Sequence, residues 1–268
     1  MTIEVPAYAK INWSLRITGK RADGFHDLET LFQTISLHDT LTFRESDRLS
    51  MTCDDPTIPV DDFNLVLRAA RALGAPPVAI ELRKTIPAGG GLGGGSSDAA
   101  AVLIALSTHF GIEKPLHEIA LALGSDVPFF LKGGTAYATG RGEVLTPMTH
   151  VAGVPLLVLI PEERVSTASA FAALRRFSPP IGIDRYRSMI EEGLLLRADE
   201  LVNDFEEPIF AALPRLGALK ARLIEAGAAW AGMSGSGSTI IGAFEAASDR
   251  DAAIELFRDV KAVASETI

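Results

Sequence analysis

Cysteine is nearly absent: Cys53 stands alone among 268 residues, so neither an internal disulfide nor a thiolate pair for a metal can form. It reads as a buried or incidental thiol. The five histidines, His26, His38, His109, His117 and His150, show no metal-ligand spacing, and no metal site is expected from them. Long apolar runs are missing too. The longest, residues 151–160, is broken by Gly153 and Pro155 and is too short to span a bilayer. Residues 1–10 include Glu4, Pro6 and Lys10 and lack the apolar core of a signal peptide. A cytoplasmic protein without a membrane partner is expected. Basic charge is in deficit: 25 Lys and Arg face 34 Asp and Glu, a net charge of −9. Broad nucleic-acid binding needs a basic face, so that class is set aside. An anionic ligand would instead be held by local donors. No Gly-Lys-Ser or Gly-Lys-Thr occurs, and Gly19-Lys20 runs on into Arg21, which excludes a Walker A loop.

What the chain does contain is glycine, concentrated in Pro87-Ala88-Gly89-Gly90-Gly91-Leu92-Gly93-Gly94-Gly95-Ser96-Ser97. The run follows an alternating segment, residues 78–84, that reads as a half-buried strand. It precedes residues 99–110, whose apolar content predicts a buried helix. Glycines allow positive φ and close approach of backbone to a ligand. Ser96 and Ser97 are expected to cap the helix, with its unpaired amides facing a phosphate. A flexible linker is the plain alternative. Gly89, Gly91 and Gly94 also satisfy G-x-G-x-x-G, but the strand before them carries Glu81, Arg83 and Lys84, unlike the buried parallel strand of a dinucleotide fold.

Other stretches stand out less on their own. Residues 3–17 and 31–43 each read as two short strands, and Lys10 among apolar neighbours is either held at a fixed place or simply snorkelling. Asp23-Gly24 marks a turn that presents Phe25 and His26, suited to stacking and bonding a planar base, or to anchoring the loop. Residues 64–73 predict a helix ending at Gly74, and residues 115–123 one stopped by Gly124. Asp126, two residues before Pro128, fits an N-cap. Ser166 or Thr167 caps a helix to about residue 176. Residues 184–196, 214–226 and 249–258 read as further helices. Strands at 228–233 and 239–244 flank a Gly/Ser hairpin loop at 234–238. The element order implies an α+β sandwich.

These separated motifs resemble the GHMP small-molecule kinases. The resemblance runs over nearly the whole chain and rests on Ala9-Lys10-Ile11-Asn12, the glycine run, Gly124-Ser125-Asp126-Val127-Pro128 and Met233-Ser234-Gly235-Ser236-Gly237. Asn203-Asp204-Phe205-Glu206 echoes a further family segment. The resemblance implies an α+β, two-domain architecture: residues 1–150 with a mixed sheet and helices, residues 151–268 a ferredoxin-like α/β sandwich. It implies ATP, with Mg²⁺ accompanying it, held by the loop from Pro87 to Ser97 and by Lys84, which on local grounds reads equally as a solvated strand-end lysine. It makes Lys10 and Asp126 the catalytic pair. Asn12, Phe25, His26, Thr167 and Phe171 then face the acceptor, with Phe25 standing where the branch most similar to this chain carries Tyr. That branch phosphorylates the 2-hydroxyl of a cytidine-diphosphate-linked methylerythritol in isoprenoid precursor synthesis. A mevalonate- or homoserine-type kinase, or a silent nucleotide-binding module, are the alternatives. The partners implied are small molecules, the assembly a monomer or weak homodimer.

Overall fold

A computed structural model describes residues 2–268. In chain order the elements are β1 (Thr2–Lys20), β2 (His26–Glu45), β3 (Ser50–Cys53), α1 (Leu65–Leu73), β4 (Val78–Arg83), α2 (Gly94–Phe110), α3 (Leu116–Leu123), α4 (Val127–Phe130), β5 (Thr135–Thr139) and β6 (Val144–Pro147). Then come β7 (Pro155–Ile160), α5 (Thr167–Ala173), α6 (Ile183–Glu192), a 3₁₀ segment (Leu194–Glu200), α7 (Glu206–Ala212), α8 (Pro214–Glu225), β8 (Trp230–Met233), β9 (Ile240–Ala243), α9 (Ala247–Ile254) and β10 (Lys261–Glu266). Two compact units interleave along this order. The first takes the chain up to Ala9, Leu37–Ala88 and Gly93–Gly133; the second takes Lys10–Ser36, Gly89–Leu92 and Gly134–Ile268.

In the first unit β4 pairs antiparallel with β2 and parallel with β3. Val78, Ile80 and Leu82 alternate inward, as a half-buried strand requires. Helix α1 begins where Asn64 accepts the Val66 N–H and ends at left-handed Gly74 (φ 70°), whose N–H reaches back to Ala70 and Arg71. Its buried Val66, Leu67, Ala69, Ala70 and Leu73 join Ala99, Ala100, Val102, Leu103 and Leu106 of α2 in one core. Helix α2 is therefore apolar nearly all round.

In the second unit β2 pairs antiparallel with β5, and β5 with β6. A separate antiparallel sheet has the order β10-β7-β9-β8. Counted from β7, that is fourth-first-third-second, the split βαβ arrangement expected of a ferredoxin-like sandwich. Leu157 and Leu159 of β7, Ile240 of β9, and Leu216, Leu219 and Leu223 of α8 form its core.

Residues 3–17 and 31–43 each belong to a single long strand, not two short ones. The buried polar residues along them are satisfied in place: Asn12 donates to the Thr30 hydroxyl, and the Gln33 amide oxygen accepts from Thr135. Helix α5 also stops early, at Ala173, because Leu174 already turns extended (φ −64°, ψ 131°).

Candidate active site

The glycine run joins β4 to α2. Gly89, Gly91 and Gly93 hold positive φ (72°, 81° and 73°), while Gly90 and Leu92 do not. Alternation of that kind turns successive N–H groups toward one concave side, the geometry of an anion nest. The loop carbonyls are engaged elsewhere: Gly90 accepts from the Thr239 N–H, Gly91 from the Ser234 hydroxyl and Leu92 from the Lys10 N–H. Among the described residues, no N–H from Gly89 to Ser96 donates to a protein acceptor. The first turn of α2 adds its own orphan amides to that row. An anion is what this row of donors can hold.

Two sequence expectations need correcting here. Ser96 and Ser97 do not cap α2. The helix starts earlier, with Gly93 at the N-cap position and no side-chain capping bond; Ser97 donates instead to the Tyr8 carbonyl at 2.6 Å. Nor is Gly91 kept small only for a ligand. A Cβ there would lie 2.0 Å from the Ser234 carbonyl oxygen, so protein backbone fills the place. The loop Ser234–Gly237 is fixed in turn by Asn203, whose amide donates to the Met233 and Gly235 carbonyls, and by Glu206, which accepts the Met233 N–H. Asp204 accepts the Ile17 N–H and the Ser178 hydroxyl. Asn203 and Glu206 of this motif thus brace the second glycine loop, while Asp204 ties the motif to β1 and to Ser178.

Lys84 is not a solvated strand-end lysine. Its side chain is 7% exposed and bonds to both Asp39 and Asp98, the latter at 2.9 Å. Asp39 also accepts the Thr85 and Ile86 N–H groups (2.6 and 2.8 Å). A Cβ on Gly94 would stand 3.2 Å from the Lys84 ammonium and 2.9 Å from Ile86, so the cluster sits directly under the start of α2. Two carboxyls share one ammonium, and one Asp98 oxygen is buried without a hydrogen bond. Burial pushes Asp98 up to about 7, against the pull of Lys84, and Asp39 nearby adds to the rise. Asp39 and Asp98 were not singled out from sequence, since nothing local marks them.

Lys10 is 4% exposed on β1 and donates to Asn12 Oδ1 at 2.8 Å; the Asn12 amide donates on to Thr30. Residues i and i+2 of a strand share a face, which is how the sequence brings this pair together. The ammonium also lies 5.0 Å from the centre of the Phe32 ring. Asp126 precedes α4, yet its side chain makes no capping bond, so a helix cap does not account for the carboxylate. It belongs to the first unit and Lys10 to the second.

The expected base-binding loop is a tight turn: Asp23 accepts the Phe25 N–H, which lowers the Asp23 carboxyl, and Gly24 adopts φ 88°. His26 stacks on Phe171 (centroids 4.6 Å, 17° between planes), with Phe177 tilted beside it. Phe25 stands apart from that stack and is 52% exposed. The Arg141 guanidinium lies 4.6 Å above its ring, a contact the sequence reading missed. Thr167 opens α5 behind the Ser166 cap and meets the Ser236 hydroxyl at 3.0 Å. Among the described residues no group of three His, Cys, Asp or Glu side chains could hold a metal ion. No helix of the described residues is long and apolar enough to cross a membrane.

Family models agree with this arrangement: GHMP kinases N terminal domain over residues 64–134 and GHMP kinases C terminal over residues 187–265. The chain is 44% identical over 268 residues to the 4-diphosphocytidyl-2-C-methyl-D-erythritol kinase of Chlorobium luteolum, covering 95% of this chain and 93% of that one. The chain belongs to the GHMP kinase family. It is an ATP-using kinase of the 4-diphosphocytidyl-2-C-methyl-D-erythritol kinase branch. A crystal structure of 4-(cytidine 5'-diphospho)-2C-methyl-D-erythritol kinase superposes with a TM-score of 0.85 at 35% identity, covering 99% of each chain. The mevalonate kinase of Methanococcus jannaschii shares the fold (TM-score 0.72) at 17% identity, over 100% of this kinase and 98% of that chain.

Proposed function

We propose that this kinase transfers the γ-phosphoryl group of ATP to the 2-hydroxyl of 4-diphosphocytidyl-2-C-methyl-D-erythritol in the cytoplasm. The observation that carries the nucleotide half is the row of N–H groups from Gly89 to Ser96, none of which donates to another of the described residues. That row suits the ATP phosphates, and Lys84 acts from beneath it by holding the start of α2 in place. The acceptor follows from the relatives' named substrate together with Phe25 and His26. Asp126 takes the hydroxyl proton as general base. Lys10 steadies the charge that builds up on transfer, and Asn12 holds the Lys10 ammonium in place. Thr167 and Phe171 border the acceptor. Mg²⁺ enters with ATP and neutralises phosphate charge. The division into residues 1–150 and 151–268, and a monomer or weak homodimer, go with this reading.

The deciding experiment is ADP release with 4-diphosphocytidyl-2-C-methyl-D-erythritol, mevalonate and homoserine offered in turn. Turnover on the first alone is expected. Turnover on mevalonate or homoserine would transfer the protein to another branch. ATP binding without turnover on any of them would make it a nucleotide-binding module.

A further inference from the structure

The turn between β5 and β6 carries an arginine that phosphoryl transfer leaves without a task. Gly140 and Gly142 flank Arg141 at φ 69° and 104°, and the Gly140 carbonyl accepts the Leu28 N–H at 2.8 Å, tying the turn to β2. Glu143 braces it from the other side. Its carboxylate accepts the Arg141 backbone N–H and lies 3.6 Å from Nε. Gly140 suits the turn by its φ of 69°, and a Cβ there would stand 2.8 Å from the movable end of the Glu143 side chain. The guanidinium is thereby held over the Phe25 ring at 4.6 Å, with the side chain 30% exposed. Its two terminal nitrogens make no hydrogen bond or ion pair among the described residues.

Arg21, on the neighbouring turn, is different. It pairs with Asp23 at 3.1 Å and Asp27 at 2.9 Å, so its charge is already answered. Arg141 lies within electrostatic reach of Asp23 and beside Glu143, yet both terminal nitrogens of its planar fork stay unbonded among the described residues, with a ring below and a carboxylate behind. Forks of that kind bind phosphate through two parallel N–H bonds. An exposed aromatic face alongside is the natural seat of a base. In a protein of net charge −9, a diphosphate approaching this turn needs a local cation to meet it.

We propose that Arg141 binds the diphosphate of the cytidine-diphosphate substrate while the base lies on Phe25. The proposal rests on the reading of Phe25 as the base platform. It also accounts for Phe at a position where Tyr is expected: the guanidinium, not a phenol, supplies the polar contact at this ring.

The test is calorimetric titration of wild type, Arg141→Met, Arg141→Lys and Phe25→Ala with CDP, cytidine and ATP. Arg141→Met should weaken CDP by about 10- to 100-fold and cytidine far less, with ATP unchanged. The salt dependence of CDP binding should flatten with it. Arg141→Lys should recover part of the loss, because it keeps the charge but not the fork. Equal losses for CDP and cytidine, or no loss for CDP, would overturn the proposal. If Phe25→Ala weakens both ligands while Arg141→Met spares CDP, only the role of Arg141 falls. If Phe25→Ala changes neither, the platform reading falls and takes this proposal with it.

Discussion

The proposed phosphate cradle and the proposed base platform are built in opposite ways. The cradle is backbone: alternating φ at Gly89 to Gly93, carbonyls tied inward, N–H groups left over. An anion held there would be held by backbone dipoles, not by a side chain. The platform is side chain: Phe25 under Arg141, and His26 against Phe171. Backbone sites fail abruptly when a Cβ is added, whereas side-chain sites lose affinity one contact at a time. Within the cradle, moreover, Gly91 is also kept small by the second glycine loop, whose Ser234 carbonyl lies where a Cβ would stand.

The largest effect should come from a residue in neither region. Asp126→Asn keeps the side chain's size and an acceptor oxygen, and Asn is an equally good residue before a helix, so the fold should be kept. It should lower kcat by about 10²–10⁴-fold, the usual worth of general-base help, with ATP and CDP affinities unchanged. Near-normal turnover in single-turnover assays would remove Asp126 from the chemistry.

Two glycine variants then separate strain from collision inside the cradle. At Gly89 a Cβ meets nothing within 4 Å, so Gly89→Ala carries only the penalty of φ 72°. That strain is about 1–2 kcal/mol for an L-residue. Gly91→Ala carries a similar penalty at φ 81° and also drives a methyl to 2.0 Å from the Ser234 carbonyl. ATP affinity should fall measurably in the first and be nearly abolished in the second, while CDP affinity holds in both. Equal behaviour of the two variants would show that contact with the second glycine loop does not set the cradle's shape. Smaller still is Phe25→Ala, expected to cost CDP binding about 1–3 kcal/mol and ATP binding almost nothing. An equal loss for ATP would mean that Phe25 supports the fold and not the base.

The contrast also explains what the sequence let us read. The cradle was legible because its requirements are contiguous: a strand, glycines at positive φ, an apolar helix. Asn64 and Gly74 were legible as helix ends for the same reason, since a cap is decided within a few residues. The succession of elements pointed to an α+β sandwich, and its ferredoxin-like form was implied by the resemblance to the GHMP kinases. Arg141 was not legible, because nothing in Gly140-Arg141-Gly142-Glu143 says which distant ring lies beneath it. Asp39 and Asp98 escaped notice likewise, Asp39 being 45 residues from the lysine it holds. Even Gly91 was identified for an incomplete reason: its neighbour across space, Ser234, is 143 residues away. The long strands β1 and β2 were read as two short strands each, because the partners that satisfy buried polar residues such as Asn12 and Gln33 lie on other strands.

The smallest effect tests the foundation that sets the cradle apart from the platform. Beneath Gly94, Lys84 serves two buried carboxyls, and Asp98, raised to about 7 chiefly by burial, is the group that keeps a proton. In the unfolded chain Asp98 releases that proton near its ordinary value of 3.8. Between about 4 and 7 the folded state therefore binds more protons than the unfolded one, and this group makes stability fall as pH rises through that window. Above about 7 both states are ionised and the slope from Asp98 vanishes. Asp98→Asn keeps the shape, can still donate toward Asp39 and removes the excess carboxyl, leaving Lys84 and Asp39 as a matched pair. Urea unfolding at intervals from pH 5 to pH 8 should show a flatter stability profile in Asp98→Asn than in wild type, with the variant at least as stable at the alkaline end. ATP affinity should lose pH dependence over the same range, because the start of α2 no longer rests on a titrating group. Parallel profiles for the two proteins would mean that Asp98 stays ionised and that Lys84 satisfies both carboxylates at once.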